Sequence, residues 1–124
     1  MSGRYGFSVE QWDEVKEEIK NILIDRAKVE NTISYSELAN QIMSIEIEPH
    51  ERALHEMLGE ISINEDDSGR GLLSALVIHK DGDMIPGQGF FDLAASRDRD
   101  TSDKDRFWSK ELKSVFSYWK LKSQ

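Results

Sequence analysis

The residues Leu72-Leu73-Ser74-Ala75-Leu76-Val77-Ile78 form a near-continuous apolar run of strand length, closed by Gly71 on one side and by the turn signal Asp81-Gly82 on the other. A stretch without a polar side must be covered on both faces, so the rest of the chain has to wrap it. We read it as a doubly buried strand. After Asp81-Gly82-Asp83 and Pro86-Gly87-Gln88-Gly89, the segment Phe90-Phe91-Asp92-Leu93-Ala94 is expected to return as an antiparallel partner, giving a hairpin with a long tip.

Helices are expected on both sides of this hairpin. Ser8 followed by Gln11 has the spacing of a capping box, and Trp12, Val15, Ile19, Ile22, Leu23 and Ala27 then recur at helical spacing, so a first helix is predicted over about 9–28. Its opposite face carries Glu10, Glu14, Glu17, Glu18, Asp25 and Lys28. Arg26 falls inside the apolar stripe, where either a snorkelling stem or a buried partner accounts for it. Ser34 and Glu37 form a second capping box, with Ile33 placed to pack on Leu38 as a hydrophobic staple, and a short helix should run from Tyr35 to about Met43. Ile45 and Ile47 alternate with Glu46 and Glu48, which suggests an extended link before Pro49, a residue favoured at the first helical position. A third helix is predicted over about 49–60, with Ala53, Leu54, Met57, Leu58 and Ile61 inward.

Asn64-Glu65-Asp66-Asp67-Ser68-Gly69 has no apolar residue and reads as a loop. Residues 95–106, highly charged, read as a mobile connector. The last helix carries Trp108, Leu112, Val115 and Trp119 on one seam, flanked by Phe107, Phe116 and Tyr118. A stripe this wide is expected to pack deeply against the hairpin. The fold class is α/β in the α+β sense, a single domain over 1–124: three N-terminal helices, an antiparallel hairpin or small sheet, and an aromatic C-terminal helix.

The chain has 124 residues and no cysteine, which excludes a disulfide framework, a thiolate nucleophile and a cysteine zinc site. No apolar run approaches the ~18 residues of a spanning helix, and the N-terminal segment lacks a secretory apolar core, so a cytoplasmic protein without membrane contact is expected. The 16 basic and 24 acidic side chains are unevenly placed, with 6 basic and 13 acidic groups in residues 1–60. Nucleic-acid binding draws on clustered Lys and Arg, and this balance opposes it. An acidic surface instead steers a basic partner protein, and Glu10, Glu14, Glu17 and Glu18 are the candidate contacts.

No catalytic set assembles from spacing. His50 and His55 lie about 140° apart on a helix, whereas Glu51 and His55 share a face; two ligands do not make a metal site, and no metal or cofactor is assigned. On a strand Ser74 and His79 point to opposite faces, which denies them a nucleophile–base dyad. Gly87-Gln88-Gly89 lacks the helix and lysine of a phosphate loop, and Asp81, Asp83 and Asp92 fit no calcium loop. One constellation of donors remains: Arg70, His79, Lys80 and Gln88, at the ends and tip of the hairpin near Phe90 and Phe91, form a candidate ligand site.

The order of elements resembles a winged helix-turn-helix, and Ile33-Ser34-Tyr35-Ser36-Glu37-Leu38-Ala39 resembles the segment that opens the second helix in the winged-helix part of alkyltransferase-like DNA-repair proteins. That family's reactive strand carries Pro-Cys-His-Arg, where this chain has Leu73-Ser74-Ala75-Leu76. The nucleophile is absent, so the resemblance implies a winged-helix-like topology and not alkyl transfer. The segment from Gly71 to Ala94 also resembles a recurring signature of small uncharacterised bacterial proteins, which implies no activity. The expected function is a non-catalytic acidic protein-binding domain, of inhibitor or immunity type. The alternatives are a winged-helix DNA-binding protein and a small enzyme or ligand-binding protein using the hairpin tip.

Overall fold

The computed structural model describes residues 4–80 and 82–122. Helix α1 (Val9–Lys28) starts as expected: the Gln11 N–H donates to the Ser8 side chain and the Ser8 N–H to the Gln11 side chain. Its stripe of Trp12, Val15, Ile19, Leu23 and Ala27 is buried. Arg26 has a partner after all, donating to the Thr32 carbonyl at 2.8 Å. Strand β1 (Ile33–Ser34) leads directly into α2 (Tyr35–Gln41), capped by the Ser34–Glu37 box. Helix α2 ends before Ile42, which turns into the core in an extended conformation and stops the helix short of Met43.

The third helix corrects the sequence reading at both ends. Pro49 and His50 form a turn, and α3 runs Arg52–Asp67, through the stretch expected to be a loop. Its last turn is carried by ion pairs, one with a residue just beyond the helix and the others with residues some thirty positions on. Glu65, 1% exposed, receives Arg70 Nε at 3.0 Å and Nη2 at 2.7 Å. Asp66 receives Arg97 Nε at 2.8 Å and Arg99 Nη2 at 2.6 Å. The same two arginines pin residues 97–99, so this part of the charged connector is tied down rather than mobile.

The hairpin is not formed. Leu73–Leu76 is a 3-10 turn, and only Val77–Ile78 continues as strand β2, paired parallel to β1 with Ile33 opposite Val77 and Ser34 opposite Ile78. A parallel pair needs a long crossover, and α2 and α3 provide it. The chain enters the 3-10 turn through Gly71 at φ +86°, where a Cβ would stand 3.1 Å from a Glu111 oxygen and 3.2 Å from Val115. Phe90 to Ala94 belong to helix α4 (Gln88–Ser96), not to a returning strand. Phe90, Phe91 and Ala94 are all buried, a spacing that suits one helix face, whereas adjacent strand residues would face opposite sides.

Helix α5 (Lys104–Lys122) closes the molecule. It packs against both apolar clusters: Val115, Phe116 and Trp119 on the larger one with α1, α2 and α3, and Phe107 and Trp108 on the smaller one with Leu72, Ala75, Phe90, Phe91 and Ala94. Leu112 touches both. Trp108 Nε1 donates to the Ala75 carbonyl at 2.8 Å, and the Leu72 N–H donates to Glu111 at 2.9 Å, so α5 satisfies the backbone of the apolar run on which the fold closes. Each fully buried leucine in that run adds about 1.5–3 kcal/mol. The architecture is α+β, mostly helical, with one two-stranded parallel sheet among the described residues. No helix among them is long and apolar enough to cross a membrane.

Candidate functional site

The expected ligand residues separate. Arg70 is committed to the buried Glu65. Gln88 donates to Asp92 at 2.9 Å and accepts from Lys104. His79 and Lys80 stay together at the start of a turn closed by the His79 N–H on the Ile85 carbonyl at 2.9 Å and the Met84 N–H on the His79 carbonyl at 3.1 Å. Only His79 joins a constellation, and its companions were not among the four.

That constellation is an aromatic stack. Tyr35, the first residue of α2, lies between two imidazoles: His55 of α3 at 5.1 Å between ring centroids and His79 at 4.7 Å. The capping box positions Tyr35, because the Ser34 cap fixes the direction in which α2 departs from β1. The Gly87 N–H donates to the Tyr35 hydroxyl at 3.1 Å. Burial pushes the Tyr35 phenol above its ordinary pKa, against a smaller opposite effect of that N–H, so it remains protonated at neutral pH. His55 Nε2 lies 3.0 Å from the Pro49 carbonyl. A carbonyl only accepts, so Nε2 carries the hydrogen and Nδ1 is left unengaged.

Beside the stack is a cleft of about 220 Å³ between α2, α3 and α4, walled by Tyr35, His55, Gly59, Ser74, Gly87 and Gly89 over Leu58, Phe90 and Leu93. Ser74 is not poised as a nucleophile. It sits on the 3-10 turn instead of a strand, its N–H donates to Ser62 Oγ at 2.9 Å, and the Ser62 hydroxyl donates to Ser74 Oγ at 2.6 Å. A larger depression of about 520 Å³ at the start of α5 is lined by Arg99, Asp103, Arg106, Lys110 and Glu111 among others. Its lining sums to no net charge, Arg99, Arg106 and Lys110 against Asp100, Asp103 and Glu111, with Arg99 standing 3.7 Å from Glu111.

The carboxylates fall into two groups. Glu60 receives Arg4, Trp12 and Lys16; burial works to raise its pKa, and these hydrogen bonds outweigh it and hold the group at about 2. Glu18, one of the four expected partner contacts, instead caps the chain after α2, accepting from the Met43 N–H at 2.6 Å and from Ser44 Oγ at 2.5 Å. Glu10, Glu14 and Glu17 remain exposed, and their side chains make no hydrogen bond or ion pair among the described residues, on the side of α1 opposite its buried stripe. Among the described residues no three His, Asp or Glu side chains converge to hold a metal ion. Comparison with protein-family models, curated proteins and solved structures finds no match to this chain, so the site rests on its own geometry.

Proposed function

We propose that this chain is a non-catalytic protein-binding domain whose acidic α1 face engages a basic partner, as an inhibitor or immunity-type protein does. One observation carries the reading: Glu18, Glu60, Glu65 and Asp66 are each matched by arginine, lysine, N–H or hydroxyl groups, whereas Glu10, Glu14 and Glu17 find no partner among the described residues and stand in a row on one outer face. Unmatched like charges at successive turns repel one another at a small cost in helix stability, which a complementary surface relieves. Their field extends about 8–10 Å into physiological salt, enough to steer a cationic protein during encounter.

In this reading the three N-terminal helices and β1 keep a winged-helix-like layout, used as a scaffold. A DNA-binding use of that layout has less support, because α3 carries Glu56, Glu60, Glu65, Asp66 and Asp67 against Arg52 alone.

The test is affinity capture from host lysate at low and high salt, with wild type beside Glu10→Lys/Glu14→Lys/Glu17→Lys. The reading requires a net-basic protein retained by wild type at low salt, released at high salt and not retained by the triple variant. Equal capture by the triple variant, capture indifferent to salt, or no captured basic protein rejects it.

A further inference from the structure

The cleft beside Tyr35 has a chemistry opposite to that of the chain's surface. Among the described residues that line it none is acidic, in a protein with 24 carboxylates, and none is lysine or arginine. The polar groups in its wall have hydrogens to give. The Tyr35 oxygen accepts from Gly87, and its own proton has no acceptor among the described residues. The Ser74 oxygen accepts from Ser62 while the Ser62 oxygen accepts from the Ser74 N–H, which leaves the Ser74 proton likewise uncommitted. Both side chains are more than nine-tenths buried, at 8% and 6% exposure, where an unused donor is costly. His55, whose hydrogen is on Nε2, turns only an accepting Nδ1 to its surroundings and is not one of these donors.

The space is kept by missing side chains. A Cβ at Gly59 or at Gly89 would meet nothing within 4 Å, so neither glycine is imposed by a close neighbour, and each leaves open volume in the wall. Leu58, Phe90 and Leu93 supply an apolar floor. About 220 Å³ is the room of some seven waters, or of a ligand with roughly ten heavy atoms.

We propose that the cleft between α2, α3 and α4 binds a small organic monocarboxylate, its carboxylate taken by the Tyr35 and Ser74 hydroxyls, and its flat or branched apolar body lying on Leu58, Phe90 and Leu93. Two neutral hydroxyl donors can take the place of water around one carboxylate. A phosphate dianion would call for the guanidinium or ammonium groups that the wall lacks. This site is independent of the acidic α1 face, and failure of either proposal leaves the other standing.

The probe is sodium benzoate titrated into the ¹⁵N-labelled full chain, with benzyl alcohol as the neutral analogue and phenyl phosphate as the dianion. Benzoate is expected to shift the Gly59, Gly87 and Gly89 amides saturably with Kd of about 1 mM or tighter. Benzyl alcohol should bind at least about tenfold more weakly, and phenyl phosphate no more tightly than benzoate. Tyr35→Phe should weaken benzoate about fivefold. Gly59→Leu, which fills the cleft, should weaken it at least about tenfold with a native amide spectrum elsewhere, and Gly89→Leu serves in its place if that variant does not fold. Absence of saturable benzoate shifts, equal binding of benzyl alcohol, tighter binding of phenyl phosphate, or unaltered binding by the folded leucine variant each overturns the proposal.

Discussion

The Gly87 N–H meets the Tyr35 hydroxyl at 3.1 Å, joining the start of α4 to the first residue of α2 across 52 positions of chain. Position 87 is tight for a side chain: a Cβ would stand 3.0 Å from His79 Nε2, so that ring would have to give way, and 3.5 Å from the Tyr35 oxygen. Gly87→Ala is therefore expected to push the His79 ring off Tyr35 and to cost about 1–3 kcal/mol. Tyr35→Phe should cost about 1 kcal/mol, by leaving the Gly87 N–H without its acceptor. Urea unfolding midpoints measure both. An alanine variant as stable as wild type would mean that the imidazole moves aside freely and that the stack is not a fixed feature.

Arg70 is read here as a structural partner of Glu65, and the two readings of this arginine predict different mutants. Arg70→Met leaves a carboxylate of 1% exposure with only Lys20, at 3.7 Å, and should cost about 3 kcal/mol. The double variant Glu65→Leu/Arg70→Met removes both charges and should recover most of that loss. Were Arg70 held for a ligand instead, the single variant would unfold at the same denaturant concentration as wild type.

Local signals in this sequence were legible, and tertiary ones were not. Both capping boxes join residues three apart, and the α1 stripe and the α5 seam repeat at intervals of three or four, so spacing alone exposes them. The apolar run at Leu72–Ile78 was identified as buried, but burial on all sides erases the periodicity that distinguishes strand from turn, and its parallel partner Ile33–Ser34 lies before two helices. Phe90-Phe91 read as strand because aromatic residues favour strands, and packing of both rings with Phe107 overrode that preference. The polar end of α3 looked like a loop because Arg97 and Arg99, which neutralise it, lie some thirty positions away. The Tyr35–His55–His79 stack draws one ring from each of three segments and has no spacing to detect. The capping box that starts a helix at Tyr35 was visible; the place of that tyrosine between two imidazoles was not.

Gly59 lies in the interior of α3, and a Cβ built there meets nothing within 4 Å. Gly59→Ala is expected to stabilise the protein by about 0.5–1 kcal/mol, by restricting the unfolded chain and favouring the helix. Thermal unfolding should show an upward shift of a few degrees, about 2–6 °C for a chain of this size. A lower melting temperature would show that the cleft wall at Gly59 is closed by contacts tighter than those described.

Acid should act first through the carboxylates that hold the N-terminal segment and the α3 end. Glu60 is held at about 2 against an ordinary 4.5, and hydrogen bonds from Arg99 and then Arg97 lower Asp66 as well. A group whose folded pKa is depressed contributes stability that is complete above its unfolded pKa and is lost as pH falls toward the folded one. For Glu60 that window runs from about 4.5 down to about 2. The full shift corresponds to about 3 kcal/mol, but solvent reaches 29% of the side chain, and about 1–2 kcal/mol is the expected contribution after screening. Glu60→Gln should therefore be less stable than wild type at pH 7 by that amount, and the gap should narrow to less than half as the pH is lowered to about 2. Urea unfolding of both proteins at successive pH values measures it. A gap unchanged at the acid end would assign the contribution of Glu60 to its contacts with Trp12 and Arg4 as a shape, and not to its charge.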